Sequence, residues 1–409
     1  MEQIIERCAG LDVHKAVVVA TVRVPDGHGG RAVHTETFST TTVGLLALHD
    51  WVQAYGVTHI AMESTGVYWK PVYYALEDDF TLLLVNTRHV KTVPGRKTDV
   101  KDSEWLAQLL ECGLLRGSFV PPPPIRDLRD LTRYRRKQVD ERGREVQRLH
   151  QTLEEAGIKL ATVATDVMGV SGRAMIEALV KGTTDPATLA DLARGRLRRK
   201  LPALRDALRG QFRAHHAFLI GQILAKIDFL DDALVELTRE IDHLLLPFEA
   251  TLARLDTIPG VSRTTATVIV AETGGDMSRF PTAAHLCSWA GLCPGHNESA
   301  GKRRSGRRRK GNPYLCHALV ESALAATRAK NTAVQAQYRR ILRHAGHKKA
   351  AVATAHQILE IAFYIQRDPV EYVEHGADYF DKRRRAQAVR RHVQQLEALG
   401  YHVSLAEAA

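Results

Sequence analysis

The stretch CAGLDVHKAVVVATVRVPDGHGGRAVHTETFST, residues 8–40, holds three β-rich runs in succession. CAGLDV, AVVVATVRV and AVHTETFST are separated by His14-Lys15 and by the Gly-rich turn PDGHGG, the punctuation expected between strands. Beyond them the pattern changes. Residues 43–55 predict a helix ending near Gly56, THIAMES a short strand, and YWKPVYYALED a helix with Pro71 in its first turn. TLLLVN reads as a buried strand and residues 101–112 as a further helix. Three strands followed by strand–helix alternation describe an α/β domain, a mixed sheet with helices packed against it.

The tract PPPP at 121–124 cannot continue a helix and predicts a stiff spacer, and the domain boundary is placed there. The remainder reads as all-α. Val139, Val146, Leu149, Leu153, Ala156 and Leu160 fit a heptad with a polar gap at Arg142. Ile223, Ile227, Leu230, Leu234, Leu237, Ile241, Leu244 and Phe248 alternate steps of four and three without a miss. Such coiled-coil seams ask for a partner helix, either each other or another copy of the chain. From Leu252, LARLDTIPGVSRTTATVIVAE resembles a helix-hairpin-helix, whose backbone amides suit a DNA phosphate; an ordinary helix–helix turn fits it too. The expected division is 1–120, a catalytic α/β domain; 121–250, a helical and coiled-coil domain; 251–370, a helical C-terminal domain; and 371–409, a basic helical tail.

Composition narrows the function. The 409 residues carry a net charge of +11, and that charge is clustered. GKRRSGRRRK (301–310) holds seven Lys or Arg and no acid, KRRRAQAVRR (382–391) holds six, and nine lie between Arg126 and Arg148 against five acids. Clusters of this kind point to nucleic acid. No apolar run is long enough for a membrane span, and the N-terminus lacks the layout of a secretory signal. Five scattered cysteines (8, 112, 287, 293, 316) without a CxxC pair read as reduced thiols of a cytoplasmic protein. His215-His216 and the pair Cys287 and Cys293 fit no usual zinc spacing and read as structural. Trp105 and Trp289 read as packing residues.

Against this basic background four acids stand out. Asp12 ends the first strand, Glu63 ends the fourth, and Asp99 and Asp102 lie one helical turn apart in GRKTDVKDSEWLAQLL, 95–110. Singly, each has an ordinary reading as a turn residue, an ion-pair partner or a helix cap. Together they fall at the element ends that a ribonuclease-H-type sheet requires. Strand-end carboxylates point to one rim of a sheet, and residues at i and i+3 share the helix face that would close over it. Four converging carboxylates repel unless cations join them, and two Mg²⁺ ions suit an all-oxygen donor set. Paired ions of this kind serve phosphoryl transfer.

GLDVHK, MESTG and GRKTDVKDSEWLAQLL resemble the metal-site blocks of the IS110-type transposases, and more closely their IS1111-like branch. FPTAAHLCSWAGLCPGHNESAGKRRSGRRRKGNPYLCHALVESA resembles the second signature of that family, in the same order along the chain. The resemblance implies a RuvC-like N-terminal domain in which Asp12, Glu63, Asp99 and Asp102 form the metal-binding acidic tetrad. It implies a nucleophilic serine in the C-terminal block, matched here by Ser299, with Ser305 in reserve. Many relatives read Ser-Gly at that place, whereas this chain reads Ser299-Ala300-Gly301 and has Ser305-Gly306 farther on. It further implies a tetramer with shared sites and a structured guide RNA transcribed from the element's end. Lys302, Arg303, Arg304, Arg307, Arg308, Arg309 and Lys310 would hold the nucleic acid. The expected function is an RNA-guided DNA transposase or recombinase. A junction-resolvase-like nuclease would use the acids without Ser299, and a non-catalytic nucleic-acid scaffold would use neither.

Overall fold

The computed structural model describes residues 4–64, 66–86, 102–295, 297–299 and 301–406. The chain divides into two compact units, Met1–Pro121 and Pro122–Ala409.

The first unit is built on five strands: β1 (Cys8–Val13), β2 (Val17–Pro25), β3 (Arg31–Ser39), β4 (His59–Glu63) and β5 (Thr81–Val85). Their order in the sheet is β3-β2-β1-β4-β5, antiparallel between β1, β2 and β3 and parallel between β1, β4 and β5. Short connections allow only antiparallel neighbours, so the first three strands form a meander, whereas the parallel strands need helical crossovers. Helices α1 (Thr42–Ala54) and α2 (Trp69–Leu76) supply these. Both pack on the face that presents Leu11, Val13, Val18, Ala20, Ile60 and Met62. The opposite face presents Cys8, Ala61 and Val85 to helix α3 (Asp102–Glu111), through Trp105, Leu106, Leu109 and Leu110. With a strand period of two, each face takes alternate residues of the same run.

The second unit opens with α4 (Pro123–Glu155). The tetraproline tract predicted as a spacer is in part helical: Pro123 and Pro124 occupy the first turn, where no backbone N–H is needed. Three short helices follow, α5 (Val170–Val180), α6 (Pro186–Asp191) and α7 (Leu201–Ala207), and then α8 (Ala214–Leu244). The two long helices pair with each other. Arg135 Nε donates to Thr238 Oγ1 at 2.9 Å, Arg142 Nη2 to Asp231 Oδ2 at 3.0 Å, and Lys226 Nζ to Glu141 Oε1 at 3.0 Å. Arg135 meets Thr238, whereas Glu141 and Arg142 meet Lys226 and Asp231, lower on α8, so the pair is antiparallel. Leu149 and Leu153 meet Ile220 and Leu224 near one end, and Leu128 joins the cluster of Ile241 and Leu245 near the other.

The rest of the unit is helical: α9 (Glu249–Asp256), α10 (Arg263–Thr273), α11 (Ala283–Ala290), α12 (Pro313–Ala326), α13 (Ala333–Ala345) and α14 (His347–Arg367) contribute to one core, and α15 (Tyr379–Ala398) follows. In the turn between α9 and α10 the Val261 amide donates to Ile258 O at 3.0 Å. Between α11 and α12 a two-stranded hairpin intervenes, β6 (Asn297–Ser299) and β7 (Lys302–Ser305). Among the described residues no helix is long and apolar enough to cross a membrane.

Candidate active site

Alternation along β1 puts Cys8, Gly10 and Asp12 on the face that carries α3. The contacts fix how the helix lies. Cys8 Sγ donates to Ala107 O at 3.4 Å. A Cβ on Gly10 would lie 2.1 Å from Ser103 O and 2.4 Å from Ala107 N, so only glycine lets the helix backbone come this close. Two strand residues advance about 6.6 Å and four helical residues about 6 Å. Helix and strand therefore run antiparallel in step, and Asp12 lies beside the N-terminal turn of α3 that Asp102 opens. Ser103 Oγ is 2.8 Å from Thr21 Oγ1, and Thr21 is the partner of Gly10 on β2, so a second contact holds the same turn.

Glu63 joins from the next strand. The β1–β4 register pairs Gly10 with Ala61 and Leu11 with Met62, so one step on Glu63 stands beside Asp12 at the parallel strand ends. Neighbouring strands are about 4.8 Å apart, and both side chains belong to the α3 face. The Asp12 side chain is 28% exposed, with His14 Nε2 3.2 Å from its Oδ2. Asp99 lies outside the described residues. Among the described residues no group of three or more His, Cys, Asp or Glu side chains is close enough to hold a metal ion. Asp12, Glu63 and Asp102 thus share a rim without closing a ligand sphere by themselves. The donor set, oxygen throughout, fits a hard divalent cation.

In the second unit Ser299 is the last residue of β6, paired with Lys302 across a tight turn in which Gly301 has φ of +74°. Ser305 is paired with Asn297 at the hairpin's base. Lys302, Arg303 and Arg304 lie in β7, and Arg307, Arg308, Arg309 and Lys310 follow it as an exposed run. The base of this loop is clamped. Gly295 N donates to Arg307 O at 3.2 Å. Gly291 and Gly311 meet backbone to backbone, and a Cβ on Gly311 would lie 2.3 Å from Gly291 N.

A buried carboxylate secures the far end, and nothing in the charge pattern drew attention to it. Glu272 on α10 is fully buried. Arg133 donates to both of its oxygens at 2.8 Å, and Asn312 Nδ2 donates to Oε2 at 2.6 Å. Asn312 also caps α12, its Oδ1 accepting from the amides of Tyr314 and Leu315 at 3.1 Å. The basic run therefore ends on a residue locked to α4 and α10. The available signal was a lone acid in the otherwise small and apolar helix TATVIVAET.

The residues read as structural pack as expected. Trp105 is buried under the sheet, and Trp289 packs against Phe280 at 5.5 Å. His216 Nδ1 accepts from Arg213 N at 3.1 Å, a helix cap. Cys287 is buried, and burial raises its thiol pKa.

Two family profiles match the chain. Residues 9–158 match the profile of the DEDD transposases of IS110, described as a transposase, and residues 252–339 match the transposase IS116/IS110/IS902 family. An insertion element IS110 protein of 43.6 kDa from Streptomyces coelicolor, described as uncharacterized, is 37% identical over 120 residues. That match spans 29% of this chain and 29% of the relative's own length. The first profile covers the acid-bearing sheet together with α3, and the second covers the Ser299 hairpin. The chain belongs to the IS110 family of transposases.

Proposed function

We propose that this protein is a DNA transposase or recombinase that cuts and rejoins strands by phosphoryl transfer, moving an insertion sequence. The observation that carries the reading is the shared rim. Asp12 and Glu63 end adjacent parallel strands on one face, and Gly10 draws the Asp102 end of α3 onto that face. The strand order and the helix on this face support a ribonuclease-H or RuvC-like domain.

Asp12, Glu63, Asp99 and Asp102 would hold two Mg²⁺ ions, which when bound stabilise charge on the attacking and leaving oxygens. The carboxylates fix where the scissile phosphate rests. Ser299 Oγ attacks phosphorus, a new Ser–O–P bond forms as the P–O bond to one sugar breaks, and the serine's proton ends on the departing sugar oxygen, which leaves as a free hydroxyl. In the reverse step the hydroxyl of another strand attacks the same phosphorus and releases the serine. The bond energy is conserved in the phosphoserine, so rejoining needs no nucleotide cofactor. The hairpin tip is a suitable station for this nucleophile: the tight turn at Gly301 leaves Ser299 at the extremity of its strand, whereas Ser305 sits at the base. The run Lys302 to Lys310 would neutralise the strand's phosphates.

Family resemblance extends the proposal to a structured non-coding guide RNA and to a homotetramer with sites shared between protomers. Trapping of a DNA–protein adduct tests the core of it. Ser299→Ala is expected to abolish the adduct while Ser305→Ala keeps it. Cutting that persists undiminished in Ser299→Ala would favour a resolvase-like nuclease instead.

A further inference from the structure

The basic run stands between two open clefts, and Arg307 and Arg308 line both. The smaller, about 660 Å³, adds Arg309 and Lys310 and lies along α12. The larger, about 1200 Å³, opens between the hairpin's base and the first half of α14, and Lys348, Lys349, His356 and Phe380 complete it. We propose that this larger cleft binds the phosphodiester backbone of a DNA strand and leads it toward the Ser299 hairpin. The proposal rests on the transposase reading above and assigns its substrate a path.

Three observations carry it. Cations from segments forty residues apart in sequence, Arg307 on one wall and Lys348 and Lys349 on the other, line a common space with one acid among the described residues, while Arg308 lines it too and donates to Gly291 O at 3.4 Å and to Cys316 Sγ at 2.6 Å. That acid, Glu360, lies with Oε2 3.5 Å from His356 Nδ1. Lys348 and Lys349 are exposed and make no ion pair among the described residues. They also occupy the first turn of α14, where the helix dipole disfavours positive charge. Such a placement opposes helix stability and is offset when an anion enters, since the same turn offers free amides. Phe380, half-buried on the wall, carries the Arg340 guanidinium over one face of its ring at 5.5 Å and leaves an aromatic edge on the cleft for a base. A DNA strand meets all of these, because it alternates phosphate and base.

The test uses the full chain and a fluorescein-labelled single-stranded DNA oligonucleotide, with anisotropy read from about 50 to 200 mM salt. Lys348→Ala/Lys349→Ala keeps the helix, since alanine is the best helix former. Its affinity is expected to fall about tenfold, and the slope of log K against log salt by about 1.4, two phosphate contacts at roughly 0.7 each. An unchanged slope would overturn the proposal, as would an equal loss in Lys330→Ala, an exposed lysine outside the cleft. Affinity lost for RNA of the same sequence but kept for DNA would overturn it as well. The transposase reading fails separately, if the wild-type chain binds DNA but yields no covalent adduct.

Discussion

Gly10→Ala is the substitution that most sharply couples the fold to the acid rim. The added Cβ would meet Ser103 O at 2.1 Å and Ala107 N at 2.4 Å, backbone atoms that cannot rotate aside. Bringing the first contact to 3.4 Å, where such contacts become ordinary, requires α3 to retreat by about 1.3 Å. Overpacking of this kind costs about 1–3 kcal/mol. The retreat also stretches the Ser103–Thr21 hydrogen bond and moves Asp102 away from Asp12 and Glu63. Misplacing a reacting group by ~1 Å costs about a hundredfold in rate. Hydrogen exchange of the full chain would read the first effect: amides of 106–111 should exchange roughly five- to hundredfold faster, while α10 and α12 are unaffected. Adduct formation would read the second, with a loss near a hundredfold in protein that is still folded. Wild-type protection in α3 together with wild-type adduct yield would refute the packing and its link to the site.

Three further outcomes are expected. Glu272→Ala removes the buried carboxylate shared by Arg129 and the half-buried Arg133 and frees Asn312, so the second unit should lose about 1–3 kcal/mol in urea unfolding; an unchanged unfolding midpoint contradicts the assigned anchor. Burial, assisted by the Glu111 carboxylate, pushes the Cys8 thiol up to about 11 from an ordinary 9.0. The unfolded chain therefore ionises first, and stability of the first unit should fall as pH rises from about 9 to about 11, a slope that Cys8→Ala removes; unfolding midpoints across that range decide it. Cysteines at Arg135 and Thr238, joined by a short bifunctional maleimide, should crosslink within one chain; a dimer band on denaturing gels would instead place the helix pair between copies.

Much of the first unit was legible because its signals are local. The runs at 8–40 have the alternation and turn chemistry of strands, and Asp12 and Glu63 end strands that the sequence delimits. The close approach at Gly10 was less visible: an isolated glycine in a strand hints at a nearby backbone but does not name Ser103 and Ala107 as its partners. Pro123 and Pro124 read as breakers because proline interrupts a helix interior, yet the first turn lacks the bond that proline removes. The heptads of 139–160 and 223–248 called for a partner without choosing it, since apolar seams carry little directional information. That choice is made by polar pairs such as Arg142–Asp231, which pattern alone does not reveal. The hairpin 297–305 escaped notice because Lys, Arg, Ser and Gly form no alternating apolar face. Glu272 escaped because its partners lie some 40 to 140 residues away in sequence.

On the proposed function the carboxylates of the first unit gather around divalent cations. Replacing Mg²⁺ by Fe²⁺ and generating hydroxyl radicals at the bound ion cuts the backbone wherever it surrounds the metal. Cleavage is expected near Asp12, Glu63 and the start of α3, and its loss in Asp12→Asn. Cuts elsewhere, or a wild-type pattern in Asp12→Asn, would contradict the account.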